Sequence, residues 1–475
     1  MNKIKIKGLS MLLAVIVLVG CTENFKEINT DPNTATVVPT AYLLTNAERG
    51  VIGQRFNFTT SLYAQHWSET QYTNTSRYET AEASFNDYYS SPLADLQQII
   101  NLNTNEETKN DAAASGDNEN QIAVATILKV LTFQYITDMW GDIPYSEALK
   151  GVENFTPAYD TQAAIYASFV SELDIAIAMI NTSPTNALIG DQIYDGDMAS
   201  WKKFANALKM RVGIRMSKAD PAASNAAISS AMAGAFAGGD DALYPYLSDA
   251  ANDNPVWAHF LTRTDYAVSN TLVDFMNLRT DPRLSVYGDE APDFAPAVIG
   301  MPYGVDNAVA GAITNDEISF PGAAVRAATS PGIMMTYAEQ LFIEAEYAEI
   351  TAPGSGATAY NAAITESMSF WGVDAADATT YLADPLVAYN AATALQLIGE
   401  QKWLALYTDG HEAWANWRRT NFPALVKAPD ATEAREIPRR RAYTQDEYDL
   451  NGDNIAAAIA IQGADLMDTK MWWDK

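Results

Sequence analysis

The chain has 475 residues, 48% of them hydrophobic, with 59 acidic against 30 basic residues and a single cysteine. A formal charge of −29 repels polyanions and so disfavours nucleic acid, whose binding depends on Lys and Arg neutralising phosphates. One cysteine excludes intrachain disulfides and every multi-cysteine zinc or iron–sulfur centre, and a chain this long can bury a large core without them.

In chain order, Lys3, Lys5 and Lys7 precede the apolar run Met11 to Val19, which Gly20 and Cys21 follow at once. That order is a secretory signal, residues 1–20. Nine apolar residues span about 14 Å of helix, under half of a roughly 30 Å hydrocarbon core, too short for a stable membrane span. Leu18-Val19-Gly20-Cys21 resembles the bacterial lipoprotein box, which implies that Cys21 is lipidated and becomes the mature N-terminus. Without residues 1–20 the chain keeps 27 basic against 59 acidic residues, a formal −32. Residues 21–40, polar and punctuated by Asp31-Pro32 and Pro39, read as an extended lead from the anchor.

Residues 41–475 then show no composition break and are expected to form one domain, mainly α. Ile122, Ala125, Leu128, Thr132, Tyr135 and Met139 make one stripe at spacings of three and four, and Thr161–Ile180, Met198–Met216, Ile333–Ile350, Thr358–Val373 and Ala394–Gly410 repeat the style. Loops rich in Gly, Pro, Asn and Asp separate these segments, the longest covering about 235–330. No 34-residue repeat is written out.

Sites with chemistry are hard to assemble. His66, His259 and His411 are scattered, and His411-Glu412 lacks the second histidine of a zincin, so no metal is expected. "GSGATA" (Gly354 to Ala359) follows a helix where a dinucleotide fingerprint follows a strand, and reads as an inter-helix turn. "DLNGDN" (Asp449 to Asn454) lacks the glycine and the final glutamate of a calcium loop and reads as a polar turn. No catalytic residue and no cofactor is expected. What the chain has in excess is aromatic residues in polar company. "QHWSETQYTNTSRY" carries Trp67, Tyr72 and Tyr78, and "YPYLSDAANDNPVWAHFLTRTDY" carries Trp257 with His259 and Arg263. Flat rings flanked by amide and guanidinium donors suit an extended polar ligand, so these six residues form the candidate binding set.

"FKEINTDPN", "TDMWGDIPYSEAL" (Thr137 to Leu149), "TPAYDTQAAIY", "WKKFANALKMRVGIRM", "DPRL", "QKWLALYTDGHEAW", "IPRRRAYTQDEY" and "MWWDK" occur in one order across nearly the whole chain. Together they resemble the SusD/RagB family of nutrient-binding outer-membrane lipoproteins of Bacteroidota. The resemblance implies a tetratricopeptide-like scaffold of four helix pairs with a loop-rich ligand-binding part. It implies no enzymatic activity, and a lipid anchor in the outer membrane facing the cell surface. It also implies a SusC-like TonB-dependent transporter as partner, receiving an oligosaccharide or, in some lineages, a peptide. Net charge favours a neutral glycan; an oligopeptide and a surface glycoside hydrolase are the alternative readings. The shared motifs read as packing: Trp140, Gly141, Asp142, Pro144 and Tyr145 at a helix end, and Arg418, Arg419 and Arg439 to Arg441 in ion pairs with the acidic excess.

Overall fold

The computed structural model describes residues 38–79 and 83–475, so Cys21, the leader and nearly all of the lead lie outside the described residues. Residues Thr40–Lys475 form one compact unit. Its main helices are α1 (Thr40–Arg55), α2 (Phe58–Tyr63), α3 (Ala94–Thr104), α4 (Asn118–Trp140), α5 (Gln162–Met179), α6 (Met198–Arg215) and α7 (Pro221–Ala231). The chain continues through α8 (Pro255–Phe260), α9 (Asn270–Leu278), α10 (Tyr337–Thr351), α11 (Ala357–Phe370), α12 (Ala375–Leu382), α13 (Ala394–Ala405), α14 (Gly410–Thr420) and α15 (Gln445–Gln462).

Sequence neighbours pack as pairs: α3 on α4, α4 on α5, α6 on α7, α10 on α11 and α13 on α14. The starts are written locally. Thr161 caps α5 through Ala164 N, Asp197 caps α6 through Ala199 N, and Asp220 caps α7 through Ala223 N with Pro221 in the first turn. The end of α4 is written too: Gly141 has φ +89°, and a Cβ there would stand 2.2 Å from Gln462 Oε1. Only glycine meets both demands.

The stripe expected on α4 understates its burial. Its side chains are covered on almost every side, Ile122, Thr126 and Lys129 being the partly exposed exceptions beyond its first turn. Its length and hydropathy would suit a membrane span, but here it is the central core helix. One hydrophobic core runs from α1 through α7 to α14, and a smaller one fills the space between α10, α11, α12 and α13. Gly354 to Gly356 lie in the turn from α10 into α11, and Ala357 to Ala359 open α11. Residues 449–454, expected as a turn, span a kink in α15, where Asn451 (φ −139°, ψ 34°) leaves the helical conformation and two helical stretches meet. The expected long loop at 235–330 also carries structure, including α8, α9 and two strands. Its elements are short and its periods brief, which hides them from pattern reading.

Strands are few and short. β1 (Trp67–Glu69) pairs antiparallel with β5 (Tyr266–Val268), β2 (Ile143–Pro144) with β3 (Tyr159–Asp160), and β4 (Ala242–Tyr244) with β6 (Gly332–Met335). The β1–β5 register, Trp67 opposite Val268 and Glu69 opposite Tyr266, joins segments nearly 200 positions apart. It lays the loop after β1, with Tyr72 and Tyr78, beside the loop before β5, with Arg263.

Candidate binding face

The loop after β1 is held by side chains turned back on backbone. Glu69 Oε2 accepts from Ser76 N and Ser76 Oγ, both at 2.8 Å, and Thr70 N donates to Asp265 O at 2.8 Å. Burial raises the Glu69 pKa, and the two Ser76 bonds oppose that rise. Tyr72 takes φ +55°, a left-handed conformation that L-residues seldom adopt, and its N–H donates to Asn307 Oδ1 at 2.6 Å. The ring is thereby held outward, 64% exposed.

Arg263 stands over this ring, its guanidinium carbon 5.9 Å from the centroid. Asp265 gathers the neighbours: Arg263 Nε donates to its Oδ2, Gln71 Nε2 donates to its Oδ1 at 2.6 Å, and His259 Nε2 lies 3.9 Å away. The His259 ring sits 4.9 Å from Phe58 and 5.0 Å from Tyr266, and burial lowers its pKa while Asp265 partly restores it. Phe58 stacks on Tyr266 at 4.3 Å and 17°, so a slab of rings backs the exposed pair.

The six expected residues divide. Tyr72, Arg263 and His259 converge through Asp265. Trp257 lies on α8 two positions from His259, hence on a different side of that helix, where it is 38% exposed with Leu261 one turn along. Trp67 and Tyr78 are core residues. Trp67 donates from Nε1 to Tyr407 OH at 3.0 Å behind the Phe58–Tyr266 slab, and the Tyr78 hydroxyl accepts from Ala428 N at 3.0 Å. Their polar neighbours in sequence, Ser68 and Ser76, are themselves buried and bonded, so polar company does not mark an exposed ring here. Gln71 and Asp265 lay within the two aromatic–polar stretches and were findable. Asn307, far off in sequence and in no pattern, carried no signal.

Asp138, His411 and Glu412 offer ligand atoms within 4.8 Å of one another deep in the helix array. Arg215 Nε is 3.4 Å from Asp138 Oδ2, and Arg55 and Arg211 approach Glu412 Oε1 to 3.8 and 3.9 Å. Burial opposes the Glu412 charge, but Arg215 and Arg211 outweigh it and hold the carboxyl well below its usual range. Burial lowers His411 to about 4, leaving it neutral. These carboxylates are already matched by guanidinium groups, and a further cation among them would be repelled. The cluster is an ion-pair network that ties α4, α6 and α14.

The fold and this face define a class: a helical scaffold that presents a loop-built aromatic surface. The family profile described as "Starch-binding associating with outer membrane" matches residues 32–444, and the chain belongs to that family, the SusD-like proteins. A chitin-binding protein of known structure shares 26% identity at a TM-score of 0.79, over 92% of this chain and 100% of its own. A SusD homolog from Bacteroides uniformis shares the fold at 23% identity and a TM-score of 0.80, over 91% of this chain and 99% of its own. A chitin-binding SusD homolog from Flavobacterium johnsoniae does so at 23% and 0.76, over 92% of this chain and 96% of its own. No curated protein matches the chain.

Proposed function

We propose that the protein captures a neutral glycan non-covalently at the outer membrane, anchored through a lipid on Cys21, and passes it to a SusC-like TonB-dependent transporter. The observation that carries this reading is the outward Tyr72 ring under Arg263, with Gln71 and Asn307 at its edge and Trp257 on the neighbouring helix. Such a face stacks on the apolar side of a sugar ring and bonds its hydroxyls. Family membership and the chitin-binding relatives point the same way.

Two features weigh against the alternatives. Glycoside hydrolysis needs one carboxyl free to give up a proton and a second facing it; Asp265 is engaged by Arg263 and Gln71, and Glu69 by Ser76. A peptide carboxylate would seek Arg263, whose charge Asp265 already meets. The formal −32 without residues 1–20 disfavours sulfated or uronate-rich chains.

Affinity electrophoresis through gels containing neutral or anionic polysaccharides tests the reading, with Tyr72→Ala and Trp257→Ala alongside. A neutral polysaccharide should retard the protein, and each variant should weaken that retardation about tenfold, as truncating an aromatic anchor does. Retardation by no polysaccharide, together with saturable binding of a mixed peptide pool, overturns it.

A further inference from the structure

A 490 Å³ pocket opens between α3, α4, α5 and the turn that follows β2, lined among others by Gln97, Asn101, Lys129, Tyr145, Leu149 and Glu172. It shares no residue with the Tyr72 face. Its size falls in the range of about 300–1,000 Å³ usual for small-molecule sites.

Lys129 projects from one of the few uncovered positions of α4, and burial pulls its pKa down while Glu172 partly restores it. Among the described residues no carboxylate comes within ion-pair distance of its Nζ, which donates one bond, to Gln97 Oε1 at 3.0 Å. An ammonium has three protons, so two remain to be given. Gln97 Nε2 in turn donates to Asn101 Oδ1 at 2.9 Å, which orients the Asn101 amide and leaves its N–H₂ as a further donor. Glu172 Oε1 accepts from Tyr145 OH at 2.6 Å, and Oε2 stays available as an acceptor. Lys150 and Glu153 add one charge of each sign to the lining, so the pocket is balanced overall.

The wall made by the turn is braced by its own hydrogen bonds. Ser146 N donates to Asp160 Oδ2 at 2.7 Å, Ala158 N to Glu147 Oε2 at 3.0 Å, and Leu149 is fixed at φ +63°. Two donors and an acceptor lining one balanced cavity match adjacent hydroxyls, each of which accepts one hydrogen bond and gives another. An anion would meet Glu172, and a cation would meet Lys129.

We propose that this pocket is a second saccharide-binding site, in which Lys129 and Asn101 donate to, and Glu172 accepts from, neighbouring hydroxyls of a neutral sugar. The assignment rests on the glycan reading of the protein but not on the Tyr72 face. It places one sugar unit against the helix pairs while the exposed rings hold another stretch of chain.

Saturation-transfer NMR with maltose, diacetylchitobiose and xylobiose tests it, with glucuronate as the anionic arm. The proteins are the full chain, the Tyr72→Ala/Trp257→Ala double variant, and that variant with Lys129→Met or with Asn101→Ala added. The double variant should still bind at least one neutral disaccharide, and an added pocket change should weaken the remainder about tenfold, the loss of one charged or amide hydrogen bond to ligand. Asn101 is exposed on α3, so its variant reads the site even where Lys129→Met fails to fold. Loss of all sugar binding in the double variant overturns the pocket and leaves the Tyr72 face standing. Residual binding that both pocket changes leave intact overturns it as well, and so does transfer from glucuronate alone. Absence of sugar binding by the unchanged chain overturns both readings.

Discussion

Arginine lies over an aromatic ring both in the helix array and on the candidate face, and the two settings differ in what surrounds the pair. Arg418 is buried, its guanidinium carbon 3.6 Å from the Trp414 centroid and 4.8 Å from Trp473, and it donates to the carbonyls of Asp138 and Arg439 at 2.6 and 2.9 Å. Arg263 is half exposed, 5.9 Å from Tyr72, beside one carboxylate. The inner arginine is enclosed by the protein's own rings and carbonyls. The outer one leaves a face of its ring to whatever arrives. The same side-chain chemistry is structural where desolvation is complete and available for recognition where it is partial.

The largest effect that can break this contrast is on the inner network. Glu412→Gln takes from buried Arg215 the carboxylate its Nη2 binds, leaving it only Asp138 at 3.4 Å while Arg211 keeps Glu339, and should destabilise the protein by about 3 kcal/mol or more, read from urea midpoints at constant m. The pH dependence comes next. Burial lowers His66 to about 3 and His411 to about 4, below the usual 6.5 of the unfolded chain. The unfolded state therefore binds protons first as pH falls, so the stability these neutral rings contribute is complete above pH 6.5 and drains away toward pH 4 and then 3. His411→Gln should flatten the slope between pH 6.5 and 4, and a slope of opposite sign would contradict the neutral assignment.

A smaller effect separates the two arginines directly. Arg418→Met should lower stability by roughly 2–4 kcal/mol through unpaired buried carbonyls and lost packing, without touching ligand affinity except by unfolding. Smallest in stability is Arg263→Ala: an exposed, solvent-screened pair contributes little, so the melting curve should barely move while glycan affinity falls several-fold. A melting shift as large as that of Arg418→Met would erase the distinction.

Much of the scaffold was legible because helices carry their own periods and caps. Thr161, Asp197 and Asp220 start α5, α6 and α7 where the apolar pattern begins, and Gly141 ends α4. The family motifs Trp140 and Arg419 proved to be packing: Trp140 is buried under Ala442, and Arg419 grips Glu346 through both nitrogens. Arg439 and Arg440 reach Asp474 and Asp465, both within 3 Å, whereas Arg418 satisfies backbone carbonyls where an ion pair was expected. The face was half legible. Composition marks a loop as aromatic and polar but carries no depth, so Trp67 and Tyr78 read like Tyr72 although only Tyr72 meets solvent. Depth was set by the β1–β5 pairing, a long-range contact that three-residue strands do not announce.

The backbone of Tyr72 has a consequence for how such a protein changes over generations. Holding a tyrosine at φ +55° costs about 1–2 kcal/mol relative to glycine, and glycine would give back about 0.5–1 kcal/mol of that by loosening the unfolded chain. The two terms offset in part, so folding favours glycine there by only about 1 kcal/mol, and on the glycan reading proposed above it is the ligand that calls for a ring. On that reading, a lineage that meets a different sugar can exchange this ring with little repair of the scaffold. A selection run for heat resistance alone would let it drift away unnoticed.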